Sequence, residues 1–313
     1  MKIENFSVEL QQSSLYKTYI ERLRWTVVTL DGVNIFLKHI PFFGVLAKIQ
    51  RPPTLPYIPK LILILQKHNV RNIILEPTID TDPIKFQESL RSLSKFFNIH
   101  KEPFLPTKTL LVDLTQSEKD IFRACTEAKQ RGVRRAQKHG VIVKESKSIK
   151  DLMHIKNKSA GFLGGITTYG IDKLWDLFSP NHATILLAYA PSSRPLSRDL
   201  MSTKKMPYLR QLADRHDNII GGVLLLFWDH IAYYWIAGAT KNGKKLFAPT
   251  FLVWEALKLS KKRGNKQFDF VGVFDERSPK QFTSWHGFTK FKEGFGGKPL
   301  YYPIPPITST LRR

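Results

Sequence analysis

The chain has 313 residues with 49 Lys and Arg against 26 Asp and Glu, a formal charge of +23, and 42% of its residues are hydrophobic. That apolar content excludes a disordered chain, so the excess positive charge sits on a folded body of two ordinary domains or one large one. The single cysteine, Cys125, excludes a disulfide-stapled scaffold and a cysteine-rich zinc site and fits a reducing, cytoplasmic setting.

In chain order, the first residues carry Glu4 and Glu9 among polar neighbours, so no secretory signal is expected. No stretch reaches the run of about 20 apolar residues that crosses a bilayer. Thr26 to Leu30 and Val33 to Leu37 flank Asp31-Gly32, which predicts a hairpin, and Phe43 to Ile49 follows as a third strand. Helices are predicted at about 56–68 and 83–98, separated by a strand at Asn72 to Leu75. Lys101 to Lys108, with Pro103 and Pro106, reads as a linker. Leu110 to Leu114 is a strand, and Thr115-Gln116-Ser117-Glu118 has the form of a capping box opening a helix. Gly132 is expected to interrupt that helix and Gly140 to end it, before a strand at Val141 to Lys144. Ala183 to Tyr189, Ile219 to Phe227 and Ile231 to Ala237 are strands, the last two joined around Trp228-Asp229-His230. Pro249 and Gly264 bracket a helix, and Phe268 to Val273 is a further strand.

Three segments carry candidate chemistry. Lys129, Arg131, Arg134, Arg135 and Lys138 lie within one acid-free stretch at helical spacing, a stripe suited to a phosphate backbone or simply to a solvated helix face. Residues 191–217 turn to Ser, Pro and basic residues and read as an exposed basic insertion between core strands. From Ser284 to Tyr302, aromatics at Trp285, Phe288, Phe291 and Phe295 surround Lys290 and Lys292. A lysine held among rings has a partly desolvated charge able to stabilise an oxyanion, or the rings are core and the lysines snorkel to solvent. Dinucleotide, P-loop, zincin and serine-hydrolase motifs are missing, and the histidines have no metal-ligand pattern. His286 is a marginal candidate. Cys125 is expected in the core.

Taken in order, TLLVDL, AKQRGVRRAQKHGVIV, IIGGVLLLF, YYWIAGAT, FAPTFLVWEALKLSKKRG, FDFVGV and GFTKFKEGFGG resemble the FemABX family, aminoacyl-tRNA-dependent transferases that build peptidoglycan interpeptide bridges. The resemblance covers residues 107–300, with a looser match before them. It implies a mixed α/β fold of two N-acetyltransferase-like (GNAT-like) domains, 1–106 plus 301–313 and 107–300, with substrate in the cleft between or beside them. The implied reaction moves an amino acid from aminoacyl-tRNA to an amine of the precursor's stem peptide, with no cofactor and no metal, the charged tRNA being a co-substrate. The implied partners are aminoacyl-tRNA, a lipid-linked or UDP-linked precursor and an anionic membrane surface touched peripherally. The implied place is the cytoplasm, at the inner face of the plasma membrane.

Residue by residue, the family's Phe-Lys pair falls on Phe291 and Lys292, giving Lys292 oxyanion stabilisation or tRNA positioning and Phe291 the shaping of the site. Its acceptor-orienting acid falls on Glu76, which on its own reads equally as a strand-end carboxylate capping the turn before Pro77. The acceptor contacts fall on Tyr169, Lys173 and Tyr234, with Ile236 where the family has tyrosine, and Lys17 is the nearest match to a lysine near the first helix. The basic stripe is assigned to tRNA. The insertion 191–217 occupies the place of the family's coiled-coil arm, lacks heptads, and is assigned to tRNA or membrane. Two other readings remain open: an acyl-thioester-dependent N-acyltransferase of the same fold, although the coenzyme A turn motif fails at Arg134, and a non-catalytic polyanion-binding protein.

Overall fold

The computed structural model describes residues 9–100, 102–160, 168–191, 218–279 and 283–304. The basic insertion, from residue 192 to 217, lies outside the described residues. The chain divides into two compact units, residues 1–110 with 272–289 and 299–313, and residues 111–271 with 290–298.

The first unit opens with α1 (Ser14–Arg22), capped by Ser13, whose side chain accepts from the Tyr16 N–H. The predicted hairpin is β1 (Thr26–Leu30) and β2 (Val33–Ile40), and β3 (Gly44–Gln50) follows. Next come α2 (Ile58–Lys67), β4 (Val70–Glu76), α3 (Pro83–Ser94) and β5 (Asn98–Ile99). They form a five-stranded sheet in the order β1-β2-β3-β4-β5, antiparallel as far as β3 and parallel from β3 to β5. The parallel part requires crossovers, which α2 and α3 supply. Leu61 and Leu65 of α2 and Phe86, Leu90 and Leu93 of α3 cover Ile35, Leu37, Ala47, Ile49, Ile73 and Leu75 of the sheet. These are alternate positions on each strand, which is the pleat expressed in sequence. The helix α3 ends at Ser94, short of its predicted end, because Asn98 and Ile99 pair with Asn72 and Ile73.

The second sheet is built from β6 (Lys108–Asp113), β7 (Ile142–Ser146), β8 (Ala183–Tyr189), β9 (Ile219–Trp228), β10 (Ile231–Ala239), β11 (Gln267–Asp269) and β12 (Lys298–Tyr301). Its order is β12-β6-β11-β10-β9-β8-β7. The helices are α4 (Glu118–Ala124), α5 (Glu127–Lys138), α6 (Ile149–Ala160), α7 (Ile171–Phe178), α8 (Lys241–Lys245), α9 (Ala248–Lys262) and α10 (His286–Glu293). Adjacent glycines in β9 show how two helical layers reach the sheet. A Cβ on Gly221 would meet Leu252 of α9 at 3.0 Å, and one on Gly222 would meet Leu152 of α6 at 2.9 Å. Neighbouring residues of a strand face opposite sides, so the pair admits a helix on each face.

Three local expectations are corrected. The helix after β6 is capped by Ser117, whose Oγ accepts from the Asp120 N–H, while Thr115 bonds back to Asp113. Gly132 does not break a helix: it lies buried within α5, where a Cβ would come within 3.1 Å of Thr250 Cγ2 on α9. The break is at Cys125 and Thr126, both extended, where the Thr126 N–H donates to the Gly294 carbonyl at 2.9 Å. The strand expected over 268–273 stops at Asp269, because Asp269 turns back to accept from the Val271 N–H and Val271 has φ 52°. The helices α6, α7 and α8 have no counterpart in the predicted elements.

Candidate active site

The second unit opens where β10 and β11 part. These are parallel neighbours, paired only at Ile231 with Gln267, Ala232 with Phe268 and Tyr233 with Asp269. Beyond that point β11 ends while β10 runs on to Ala239, with a bulge between Tyr234 and Ile236 that re-aims its side chains. The gap lies past the carboxyl end of β11 and beside the second half of β10, the kind of place where α/β sheets expose backbone polar groups to ligands.

Lys292 of α10 occupies this region, and its Nζ donates to the Phe270 carbonyl at 2.7 Å. The ammonium is favoured by the buried Asp269 carboxylate and disfavoured by the charge of Lys156 on α6. Burial comes first among its influences and, with Lys156 acting in the same direction against Asp269, holds the amine down at about 8. Lys156 is itself lowered by burial. A Cβ on Gly238 would come within 2.8 Å of the Lys156 Cα, so the glycine lets α6 bring its backbone against β10.

Aromatic rings floor the site. Tyr234 lies 5.8 Å from Phe270, Phe270 lies 5.9 Å from Phe295, and Phe295 lies 5.4 Å from Phe291, centroid to centroid. Burial raises the Tyr234 phenol well above its ordinary range, so it stays protonated. Lys129 of α5 closes the row with Nζ 3.7 Å from the Phe291 ring centre and 5.2 Å from Phe295. Burial lowers Lys129 to about 8, opposed by the charge of Cys125. Cys125 is buried, as expected of a core residue, and its thiol is pushed up to about 11. Two amines held at about 8 by burial can carry positive charge at neutral pH while being poorly solvated, a property suited to stabilising negative charge that develops nearby.

The structure thus sets Phe291, Tyr234 and Lys129 along one row of rings and ties Lys292 to the main chain of Phe270, a member of that row. Arg131, Arg134, Arg135 and Lys138 are exposed on α5, opposite its buried Gly132, Val133 and Ala136. Arg131 pairs with Glu127 at 2.9 Å, and Arg134 and Arg135 lie over the rings of Phe122 and Phe247. Lys129 is set apart from them, turned under the rings. Tyr169, 68% exposed, precedes α7 and Lys173 lies on it, and neither belongs to the row. Asp269 and Lys156 were missed by sequence reading. Lys156 had a signal: Ser148 caps α6, and Leu152 and Ile155 repeat at helical spacing. Asp269 had none, because only the neighbouring chain shows that it faces a lysine.

Glu76 and Lys17 belong to the first unit. Glu76 ends β4, is buried, and accepts from Gln50 Nε2 at 2.7 Å, from the Phe104 N–H at 2.6 Å and from the Leu105 N–H. That geometry anchors the loop after β5 to the sheet end, beside a space of about 10 Å³, enough for one water. Above it, Lys48 Nζ lies 3.5 Å from the Phe104 ring centre. Lys17 is half-buried on α1. His286 packs on Phe274 with ring centres 3.8 Å apart. Among the described residues no cluster of His, Cys, Asp and Glu has the form of a metal site. An open groove of about 680 Å³ at the C-terminal half of α9 is lined by Lys258, Lys261, Lys262, Glu118, Glu145 and Glu255 and contains none of the residues above.

The model of the FemAB family matches residues 199–300. Among solved structures, the crystal structure of FemX superposes with a TM-score of 0.66 at 15% identity, covering 94% of this chain and 90% of that one. The C-terminal domain of a putative lysylphosphatidylglycerol synthetase from Agrobacterium fabrum gives 0.54 at 13% identity, covering 94% and 87%. L-PGS from Bacillus licheniformis gives 0.54 at 10% identity, covering 99% and 96%. No curated protein matches the sequence. The fold is mixed α/β, as expected, with two sheets and two compact units, and its likeness to FemX extends over 94% of the chain. The family match over residues 199–300 and the likeness in fold to FemX agree with the resemblance read from the sequence.

Proposed function

We infer that this FemABX-type protein is an aminoacyltransferase, moving an amino acid from aminoacyl-tRNA to an amine of the peptidoglycan precursor's stem peptide. The observation that carries the reading is Lys292, a lysine lowered to about 8 and fixed on the Phe270 carbonyl at the opening between β10 and β11. In the reaction the acceptor nitrogen forms a bond to the ester carbonyl carbon, and the carbonyl oxygen gains charge. Collapse of this intermediate breaks the bond to the ribose oxygen, which takes up the proton released by the nitrogen. The activated ester supplies the driving force, so the protein's tasks are positioning and stabilising one oxyanion. Lys292 fits the second task, while Phe291 and Phe295 hold the site in shape and keep its dielectric low. Lys129 and Lys156 add positive potential for a substrate rich in phosphate. Glu76 is assigned to keeping the loop over 102–107 in place, and Tyr234, Tyr169, Lys173 and Lys17 to acceptor contacts. The exposed Arg131, Arg134, Arg135 and Lys138 are assigned to the tRNA backbone.

The test incubates purified protein with charged tRNAs, and separately with acetyl-coenzyme A, in the presence of lipid-linked and UDP-linked precursors. Amino acid transfer that is lost in Lys292→Ala supports the reading. Transfer only from the thioester establishes the N-acyltransferase alternative, and binding without transfer from either donor establishes a polyanion-binding protein.

A further inference from the structure

We propose that the tip of the β2–β3 hairpin is a docking surface for an anionic phospholipid bilayer. The turn is Ile40-Pro41-Phe42-Phe43-Gly44. Phe42 is 102% exposed and Phe43 is 70% exposed, so neither ring contributes appreciably to the core. Phe42 also has φ +66°, a left-handed conformation in which glycine or asparagine is at ease and a bulky residue is strained. The fold therefore gives no reason for phenylalanine here. A lipid interface does, because its polar-to-apolar boundary receives projecting aromatic side chains.

The surroundings match the other half of such a surface. The hairpin closes at the amino ends of the parallel strands β3, β4 and β5. The Arg71 side chain lies against Gly44, where a Cβ would come within 2.8 Å of Arg71 Cδ. Asn72 Nδ2 donates to the Phe43 carbonyl at 3.0 Å, and Asn98 pairs with Asn72 in register. These links bring Phe96, 55% exposed, and the exposed Lys67 and Lys95 to the same end of the sheet. The cations at this end are Lys67, Arg71 and Lys95, and from Val33 to Leu75 the sequence contains no Asp or Glu. Exposed rings backed by cations complement phosphate headgroups lying over an apolar layer. A nucleic acid backbone would satisfy the cations and leave the apolar tip without a partner. Among the described residues no helix is long and apolar enough to cross a membrane, so the contact is peripheral.

The inference does not rest on the transfer reaction, and its test contains no substrate. The whole protein and the double variant Phe42→Ser with Phe43→Ser are sedimented with vesicles of phosphatidylglycerol and phosphatidylcholine, and with phosphatidylcholine alone. The parent is expected to bind the anionic vesicles, the double variant to bind them at least about 10-fold more weakly at unchanged net charge, and neither to bind neutral vesicles appreciably. Tryptophan emission from Phe43→Trp should shift to the blue on the anionic vesicles alone. Phe42→Gly suits the positive φ, so it should keep the parent's melting temperature and reveal the loss of one ring in a folded protein. Equal binding by parent and double variant would show that net charge alone suffices and would overturn the proposal. So would failure of the parent to bind, or a dimer that the double variant dissolves with vesicle affinity unchanged.

Discussion

Replacing Lys292 by methionine keeps an unbranched apolar stem and removes the ammonium. Holding the amine at about 8 rather than 10.5 corresponds to about 3 kcal/mol of destabilised charge at neutral pH, and roughly half of that survives for a side chain that still meets water. Against this gain stands the lost hydrogen bond to the Phe270 carbonyl, worth about 1–2 kcal/mol including the orphaned acceptor. The two nearly cancel, so Lys292→Met should unfold within about 1 kcal/mol of the parent while transfer falls about 100- to 1,000-fold, the usual cost of removing an oxyanion partner. The pH dependence has a definite sign. Below pH 8 the amine is protonated in both states and the cost of burying it is fully present. Between about 8 and 10.5 the unfolded chain keeps a proton that the folded chain has released, so the parent gains stability as pH rises, and Lys129 acts in the same direction. The methionine variant should show a shallower rise. In transfer assays the parent-to-variant rate ratio should shrink as pH passes through about 8, because the parent loses its cation there. The reasoning fails if the variant loses 3 kcal/mol or more in urea denaturation, if it transfers within threefold of the parent, or if the ratio ignores pH.

Glu76→Ala leaves the Phe104 and Leu105 N–H groups without their acceptor and should cost about 2–4 kcal/mol, with proteolysis appearing over 102–107. Glu76→Gln, which keeps one oxygen for those donors, should recover most of it, and equal losses in the two variants would contradict the anchoring role. Gly243→Ala places a Cβ 2.1 Å from the Ile220 carbonyl oxygen, a backbone atom with little room to yield, and should destabilise by about 2–4 kcal/mol in calorimetry. An unchanged melting temperature would reject that packing. Changing Arg134, Arg135 and Lys138 singly to Gln should each lower the slope of log affinity for tRNA against log salt by about 0.7–0.9, if each meets a phosphate. Arg131, paired with Glu127, should matter less, and slopes untouched by all the changes would remove the stripe from the tRNA surface.

Much of the fold was legible because the core strands announce themselves. Strand β9 is an apolar run buried on both faces, and it reads as a central strand from composition alone. Pro249 inside the start of α9 and Gly264 past its end, at φ +80°, mark a helix whose termini the structure places one residue from expectation. Gly132 misled because a glycine inside a helical pattern has two meanings, a break or a close approach, and only Thr250 on another helix decides between them. Asp269 and the Phe270 carbonyl escaped for a similar reason. The bond from Lys292 crosses 22 residues of chain, and nothing local signals it.

The sequence by itself determined the class of the fold, the excess of positive charge and the ordered series of segments by which the chain resembles one family, because these depend on composition and on local period. The tertiary structure alone decided what kind of charge each basic residue carries. Lys129 and Arg131 are two residues apart on one helix, yet the helical turn sends Lys129 beneath Phe291, where its amine falls to about 8, and leaves Arg131 in water beside Glu127. A lysine's acidity depends on how much water it keeps, and that is settled by elements distant in the chain that fold around it.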